Sequence, residues 1–502
     1  MKADPFLFYE TARVMIFPPC GRHGQVLRAE KGLLIGGLRG SQVWIVDLFQ
    51  ENYSDSGCDR DSGNRMVSSV GAAPAPLLQA APPRSCHSLY LHIPFCVKKC
   101  RYCDFLSGPQ DEETRERYTR ALINEIKEQT VCPAGTPVDT VFFGGGTPSV
   151  LSGGQIERIM EALHAFFSVQ SDAEISMEMN PGTADAEKLY RLKKAGINRL
   201  SLGVQSMHDR ELALLGRIHT ADQARLSYEQ AREAGFDNIN IDLMSALPGQ
   251  SFESWADTLE QSVRWAPEHI SSYSLIIEPG TPFAAMYEKG SLPGLPDEDT
   301  DREMYHYTGT CLAEHGYRQY EISNYAIPGR ECRHNSGYWT GHPYLGLGVG
   351  AASYVNGVRF SNCTDLRKYM DVLESGKSNA FEAAQAGQCP GGGSLSRGKL
   401  SSCSGHVSVT DTGITALIRT DLHALSLQEQ MEEFMFLGLR MTEGVRDAVF
   451  AERFGKTIEN VYGQVLEKQI SQGVLEKTQK GYRLTSRGVD VSNYVLADYL
   501  LQ

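Results

Sequence analysis

Three cysteines carry the first chemical signal in this chain. Cys96, Cys100 and Cys103 lie in the run Cys96–Val97–Lys98–Lys99–Cys100–Arg101–Tyr102–Cys103, directly after a short apolar strand. Thiolate sulfur is a soft donor that suits zinc or iron–sulfur centres. A structural zinc wants a fourth ligand, commonly from a second Cys-x2-Cys pair. No second pair follows, and Cys132 comes only after a helical segment. Three thiolates on a 4Fe–4S cluster leave one iron open, which is what a substrate or cofactor needs. On spacing alone both readings stand.

Other residues join them. Gly144–Gly145–Gly146–Thr147–Pro148 ends a strand, either as a plain strand-to-helix turn or as backbone that lets a ligand approach. A buried Glu178 needs a partner, from a ligand ammonium or ribose hydroxyl or from a neighbouring strand. In His334–Asn335–Ser336–Gly337–Tyr338–Trp339 a histidine beside aromatics suits heme iron and its macrocycle, or a hydrogen-bonded structural role. Gly346–Leu347–Gly348–Val349–Gly350–Ala351 lacks the G-x-G-x-x-G spacing, so nicotinamide binding is not indicated. It reads instead as a loop packing tightly near a barrel mouth.

The elements that must hold these residues alternate regularly. Strands are expected at Ser88–Ile93, Thr140–Phe143, Glu174–Met179, Arg199–Gly203, Asn238–Leu243 and Ile270–Ile277, with charged helical segments between them. That is the pattern of βαβ units and a parallel sheet. Within the strands Ile175, Met177 and Met179 alternate with Ser176 and Glu178. Leu200, Leu202 and Val204 alternate with Ser201, Gly203 and Gln205; Ile239, Ile241 and Leu243 alternate with Asn240 and Asp242. An open parallel sheet covered on both faces is apolar on both. A polar inner face fits a barrel lumen, with chemistry at the strand carboxyl ends. The expected fold is α/β, a partial (β/α)6-type barrel over residues 86–380. From 426 to 502, helices followed by a small hairpin predict a winged-helix-like domain. Its helix Ile458–Gln472 carries Glu459 and Glu467, so it reads as structural rather than as a nucleic-acid recognition helix.

In combination these motifs resemble the radical S-adenosylmethionine (SAM) superfamily. The resemblance rests on the cysteine run with Tyr90–Leu91–His92–Ile93–Pro94–Phe95 before it and Asp104–Phe105 after it. It continues through Gly144–Pro148, Glu178–Met179–Asn180–Pro181, Gly203–Val204–Gln205–Ser206, Arg217 with His219, and Asp242 to Leu247–Pro248–Gly249. It covers about residues 88–380 and resumes near 428. Within the superfamily the chain is similar to the coproporphyrinogen dehydrogenase-like subgroup, and most to the HemW-type heme chaperones. The resemblance implies a 4Fe–4S cluster on Cys96, Cys100 and Cys103, whose open iron takes the methionine end of SAM. A reduced cluster of this kind cleaves the sulfonium to a 5′-deoxyadenosyl radical. It further implies SAM contacts from Tyr90, Tyr102, Gly145, Gly146, Thr147, Glu178, Gln205, Arg217 and Asp242, some of them at a second molecule's site. His334 would belong to a heme-associated motif. Coproporphyrinogen oxidases carry a fourth cysteine two residues after the third, where this chain has Phe105. A heme chaperone passing heme to an acceptor hemoprotein is therefore the first expectation, and oxygen-independent coproporphyrinogen III oxidation the alternative.

Composition bounds the rest. The 502 residues, 41% hydrophobic and 22% charged, describe a globular chain of two or three domains. A net charge of −13 makes nucleic acid a poor partner, and weakens radical modification of RNA as a third reading. No run approaches the roughly 18 apolar residues of a membrane span; surface association stays open. Twelve cysteines, mostly scattered, and no signal-like start point to a reducing compartment, the cytoplasm. Residues 1–85, with an Ala/Pro tract at Gly71–Pro83, read as a weakly ordered extension and linker. Residues 381–425, rich in Gly and Ser, read as an insert or linker.

Overall fold

The computed structural model describes residues 87–375 and 413–501. The expectations for 1–85 and for most of 381–425 fall outside them. Six strands, β1 (Ser88–Ile93), β2 (Pro137–Gly145), β3 (Ser168–Met179), β4 (Arg199–Gln205), β5 (Ile239–Ser245) and β6 (His269–Ser274), lie parallel in chain order. Helices connect them, among them Glu112–Glu128, Gly153–Phe166, Ala186–Lys194, Ala221–Glu233 and Phe252–Arg264. Their starts follow from local chemistry. Ser152 and Thr220 form reciprocal capping boxes with Gln155 and Gln223, and Asp111 caps the first helix through the Thr114 amide.

The outward face of the strands is the core. Ile175, Met177, Met179, Leu200, Leu202, Val204, Ile239, Ile241 and Leu243 are buried in one continuous apolar cluster with the helices. Each such side chain contributes about 1.5–3 kcal/mol of burial. The alternate positions line the inner face, so strand parity separates core from lumen as the alternation requires.

The sheet does not close. Beyond β6 lie β8 (Asn324–Ala326) and then β7 (Arg318–Glu321), both antiparallel to their neighbours. On the other side β9 (Tyr344–Leu347) runs parallel to β1, followed by antiparallel β10 (Ala352–Val355), β11 (Val358–Asn362) and β12 (Arg419–Ala424). Two expectations change here. Gly346 is not in a packing loop: it lies in β9 opposite Tyr90 of β1. The end of the presumed linker is not linker either, because 419–424 forms an edge strand on β11 and Ile418 is fully buried in the main core.

The C-terminal unit begins at helix Leu427–Gly438, capped by Ser426. β13 (Val445–Arg446) comes next, then helices Asp447–Phe454 and Ile458–Ser471, and β14 (Leu475–Lys477) and β15 (Gly481–Leu484) complete a small antiparallel sheet with β13. It has its own core around Met435, Phe450, Tyr462, Tyr482 and Tyr499. Buried Arg440 ties it to the barrel: the guanidinium is 3.1 Å from Glu321 and stacks 4.1 Å above the Trp339 ring. Among the described residues no helix is long and apolar enough to cross a membrane.

Candidate functional site

The cysteine loop leaves the carboxyl end of β1 and is fastened on both sides. Beyond β1 and β2 the ladder continues, with the Gly146 amide bonded to Ile93 O at 2.9 Å and the Thr147 amide to Phe95 O at 2.7 Å. A Cβ on Gly146 would sit 2.7 Å from Phe95 O, and one on Gly145 2.5 Å from the His92 ring. Only glycine lets the two chains approach here. On the other flank the Arg101 amide bonds to Leu215 O at 2.9 Å, and Arg101 O receives the Phe283 amide. The turn that grips Arg101 also presents Arg217.

His92, quoted only as part of a motif, has a defined task. Its Nε2 bonds to Leu106 O at 3.0 Å at the far end of the loop, and its Nδ1 meets the Tyr90 hydroxyl at 3.1 Å. The carbonyl can only accept, so Nε2 carries the proton and Tyr90 donates to Nδ1. Burial lowers the His92 pKa to about 4, which keeps this tautomer neutral.

Four hydrogen bonds join two of the cysteines across the lumen. Thr147 Oγ1 donates to Cys96 Sγ at 3.5 Å, and Asn180 Nδ2 donates to Thr147 Oγ1 at 2.7 Å. Arg217 Nη2 donates to Asn180 Oδ1 and Gly203 O, while Nη1 reaches Cys100 Sγ at 3.5 Å. Burial opposes the Arg217 charge, but Tyr102 and Cys100 outweigh it and raise the pKa. A Cβ on Gly203 would sit 2.8 Å from Asn180 Oδ1, 2.9 Å from Gln205 Nε2 and 3.1 Å from Arg217 Nη2, so Gly203 is the gap in which three polar ends meet.

The remaining expected residues surround this point. Glu178 Oε2 accepts from the Gly145 amide at 3.1 Å. Gln205 takes a positive φ of 71° beside a register shift in the β4–β5 ladder. That is unusual backbone for a residue other than glycine. Asp242 accepts from Ser201 Oγ at 2.9 Å and Asn240 Nδ2 at 2.8 Å, and desolvation raises its pKa despite them. Tyr102 packs near Phe283, and Tyr90 stacks on Phe142.

His334 lies elsewhere. It begins the short helix Arg333–Trp339, whose first amides are capped by Glu174 of β3. Its Nδ1 meets Thr140 Oγ1 at 2.8 Å, its Nε2 meets the Tyr338 hydroxyl at 2.9 Å, and its ring stacks on Phe142. Thr140 is five residues before Gly145 on β2, about 16 Å at strand rise. His334 therefore plugs the amino-terminal end of the lumen, away from the cysteines, and burial pushes its pKa down to about 3. Asn180 is the residue that sequence reading passed over, although it stands two positions after Glu178 in a quoted motif.

The donors fit the implied cluster and SAM. Among the described residues no three His, Cys, Asp or Glu side chains close on one metal-ion position. Thiolates on a single zinc, at about 2.3 Å each, would lie within about 4 Å of one another. A cubane spreads its cysteines further apart. Arg217 Nε is buried without a hydrogen-bond partner. A small cavity at the loop is lined by Cys100, Asn180, Thr183 and Arg217. These are a cradle and an unpaired donor beside the Cys100 thiol.

The radical SAM superfamily model matches residues 90–261 and the HemN C-terminal domain model residues 425–491. Heme chaperone HemW of Bacillus subtilis (strain 168) is 35% identical over 415 residues, covering 82% of this chain and 99% of the relative. HemW of Lactococcus lactis subsp. lactis (strain IL1403) is 33% identical over 415 residues, covering 83% and 97%. Coproporphyrinogen III oxidase (HemN) from Escherichia coli shares the fold, with a TM-score of 0.67 at 24% identity, over 84% of this chain and 91% of that one.

Proposed function

Since the chain belongs to the HemW family of radical SAM proteins, we propose that it is a heme chaperone, binding heme and handing it to an acceptor hemoprotein. The observation that carries this reading is likeness to heme chaperones over nearly their whole length, with the cysteine loop and the C-terminal unit both included. In this reading Cys96, Cys100 and Cys103 hold a 4Fe–4S cluster, and Tyr90, Tyr102, Gly145, Gly146, Thr147, Glu178, Gln205, Arg217 and Asp242 hold SAM. When bound, the cluster supplies an open iron position and an electron.

The chain's own residues prepare that chemistry. The Arg217 guanidinium donates to Cys100 Sγ, and the Thr147 hydroxyl donates to Cys96 Sγ, so both sulfurs are held in place by charged or polar donors. The Gly145 amide donates to one oxygen of Glu178 and so holds the carboxylate on the inner face of β3. Half-buried thiols on this loop suit a reducing compartment such as the cytoplasm. The Phe105 backbone oxygen accepts from Lys99 Nζ at 2.9 Å and from the Ser107 hydroxyl. No thiol stands at that position.

The test is anaerobic cluster reconstitution followed by SAM, reductant and coproporphyrinogen III, with protoporphyrinogen measured by chromatography and bound hemin in parallel. Stoichiometric hemin without porphyrinogen turnover is expected. Multiple turnovers would replace the chaperone reading with oxidative decarboxylation.

A further inference from the structure

A row of polar side chains crosses the inner face of the sheet one level below the site. Ser201 of β4, Asn240 of β5 and His269 of β6 stand opposite one another in the strand register. Asp242 lies two residues further along β5, opposite Gly203, where Asn180, Gln205 and Arg217 converge. Ser201, Asn240 and His269 are buried, as is Tyr320 of β7, whereas Asp242 is half-buried.

Each hydrogen in this row can be placed. Asp242 Oδ1 is 2.8 Å from one end of the Asn240 amide, and a carboxylate oxygen only accepts, so that end is the NH2 group. The same nitrogen donates to Ser201 Oγ at 2.7 Å, and Ser201 Oγ donates in turn to Asp242 Oδ2 at 2.9 Å. The Asn240 oxygen therefore faces His269, whose Nδ1 is 2.6 Å away and carries the ring hydrogen. Nε2 is then the bare nitrogen, and it accepts from the Tyr320 hydroxyl at 2.8 Å. Tyr320 accepts from the amide of Cys332, the residue before helix Arg333–Trp339, at 3.3 Å. Burial, and after it the Arg199 guanidinium, push the His269 pKa well down, so the ring stays neutral in this one tautomer. Every donor along the row points the same way, from Cys332 toward the Asp242 carboxylate.

The row controls orientation. An amide turned end for end keeps its shape, and a turned Asn240 would set its oxygen against Asp242 Oδ1 at hydrogen-bond distance. The protonated Nδ1 of His269 opposes that turn, because it would then face an NH2 group. We propose that His269 is a positioning residue for ligand binding at Asp242: it holds Asn240 in the one orientation that supplies a donor to Oδ1 and leaves the Ser201 hydrogen for Oδ2. The ligand is SAM, and in this the inference rests on the reading above. A carboxylate held by such a supporting layer meets a hydroxyl or ammonium of the ligand without first having to be ordered.

The experiment is calorimetric titration of the anaerobically reconstituted full chain with SAM, with a melting curve for each variant. The variants are His269→Leu, His269→Asn, Asp242→Asn and the double variant Asp242→Asn with His269→Leu. His269→Leu is expected to weaken SAM at least tenfold. His269→Asn, whose amide nitrogen can stand where Nδ1 stands, should recover most of that loss. In the Asp242→Asn background His269→Leu should change SAM affinity less than threefold, while lowering the melting temperature as much as it does alone. A histidine that only supports the fold would weaken SAM by the same factor with or without Asp242, and that result would overturn the assignment. Wild-type affinity in His269→Leu would do the same and leave the SAM reading intact. Wild-type affinity in Asp242→Asn would remove Asp242 from the SAM contacts and the inference with it, and wild type that binds no SAM would end the reading itself. Nitrogen-15 spectra of histidine-labelled wild type supply a check that does not depend on His269→Leu folding. The His269 signals, assigned by their loss in His269→Asn, should show Nδ1 protonated and Nε2 bare at pH 7, and the opposite tautomer would overturn the proposal.

Discussion

Asn180 and Thr147 meet at 2.7 Å, and that contact closes the hydrogen-bonded path from Cys96 to Cys100. Asn180 uses both ends of its amide: the nitrogen donates to Thr147 and the oxygen accepts from buried Arg217. Asn180→Ala leaves a buried guanidinium short of a partner, a loss of about 1.5–3 kcal/mol for a charged hydrogen bond. The expected result is at least tenfold weaker SAM binding and lower iron content after anaerobic reconstitution. Wild-type iron and sulfide per chain, with unchanged SAM affinity by calorimetry, would contradict it.

Gly203→Ala tests the gap where Asn180, Gln205 and Arg217 converge. The atoms a new Cβ meets are side-chain ends, which can shift. The fold should survive with a melting change of a few degrees, while SAM affinity falls more than tenfold. Equal losses in both would mean that Gly203 serves the strand and not the ligand.

Acid should unfold the protein through its buried histidines. In the folded chain His92 and His334 have pKa values of about 4 and about 3, against an ordinary 6.5, chiefly because burial disfavours the charged ring. Below pH 6.5 the unfolded chain takes up protons that the native state refuses. The contribution is complete above 6.5 and is lost as pH falls toward 4, at about 1.4 kcal/mol per unit for each histidine. Urea midpoints at pH 7.5, 6 and 5 should fall in that order, and His334→Gln should flatten the slope. Midpoints that do not move between 7.5 and 5 would refute this.

The Arg440–Glu321 pair should hold the C-terminal unit to the barrel. Removing one partner of a buried pair costs about 3–5 kcal/mol, because the other charge stays buried. Arg440→Met should destabilise strongly, and adding Glu321→Gln should recover part of the loss in a double-mutant denaturation cycle. Strictly additive effects would show that the two groups do not act as a pair.

Much of this architecture is legible in the sequence because strand parity is physical. Ile, Met, Leu and Val fall on the helix side while Ser, Glu, Asn and Asp fall on the lumen side, and the cysteine spacing stands out against scattered thiols. β2 and β5 run past their expected ends, since ladder bonds continue through Gly144–Gly145 and Met244–Ser245, which carry little strand preference, whereas β6 stops at Ser274, short of the expected Ile277. For the same reason the Gly-rich β9 reads as loop. The register shift at Gln205 is a backbone event with no composition signal. Nothing in His334–Trp339 says which end of the lumen it enters; that follows from Glu174 capping its helix, a contact 160 residues away.

The site is assembled in the order in which the chain is made. Cys100 and the guanidinium that reaches it are separated by 117 residues. At about 5–20 residues per second of synthesis, the loop waits about 6–23 s for Arg217 to be added. Newly made cysteines therefore pass through an interval in which they are thiols on an unfinished sheet, without the arginine or the asparagine that link them. The four hydrogen bonds between Cys96 and Cys100 therefore close only late in synthesis, and strand order sets when the two cysteines become linked.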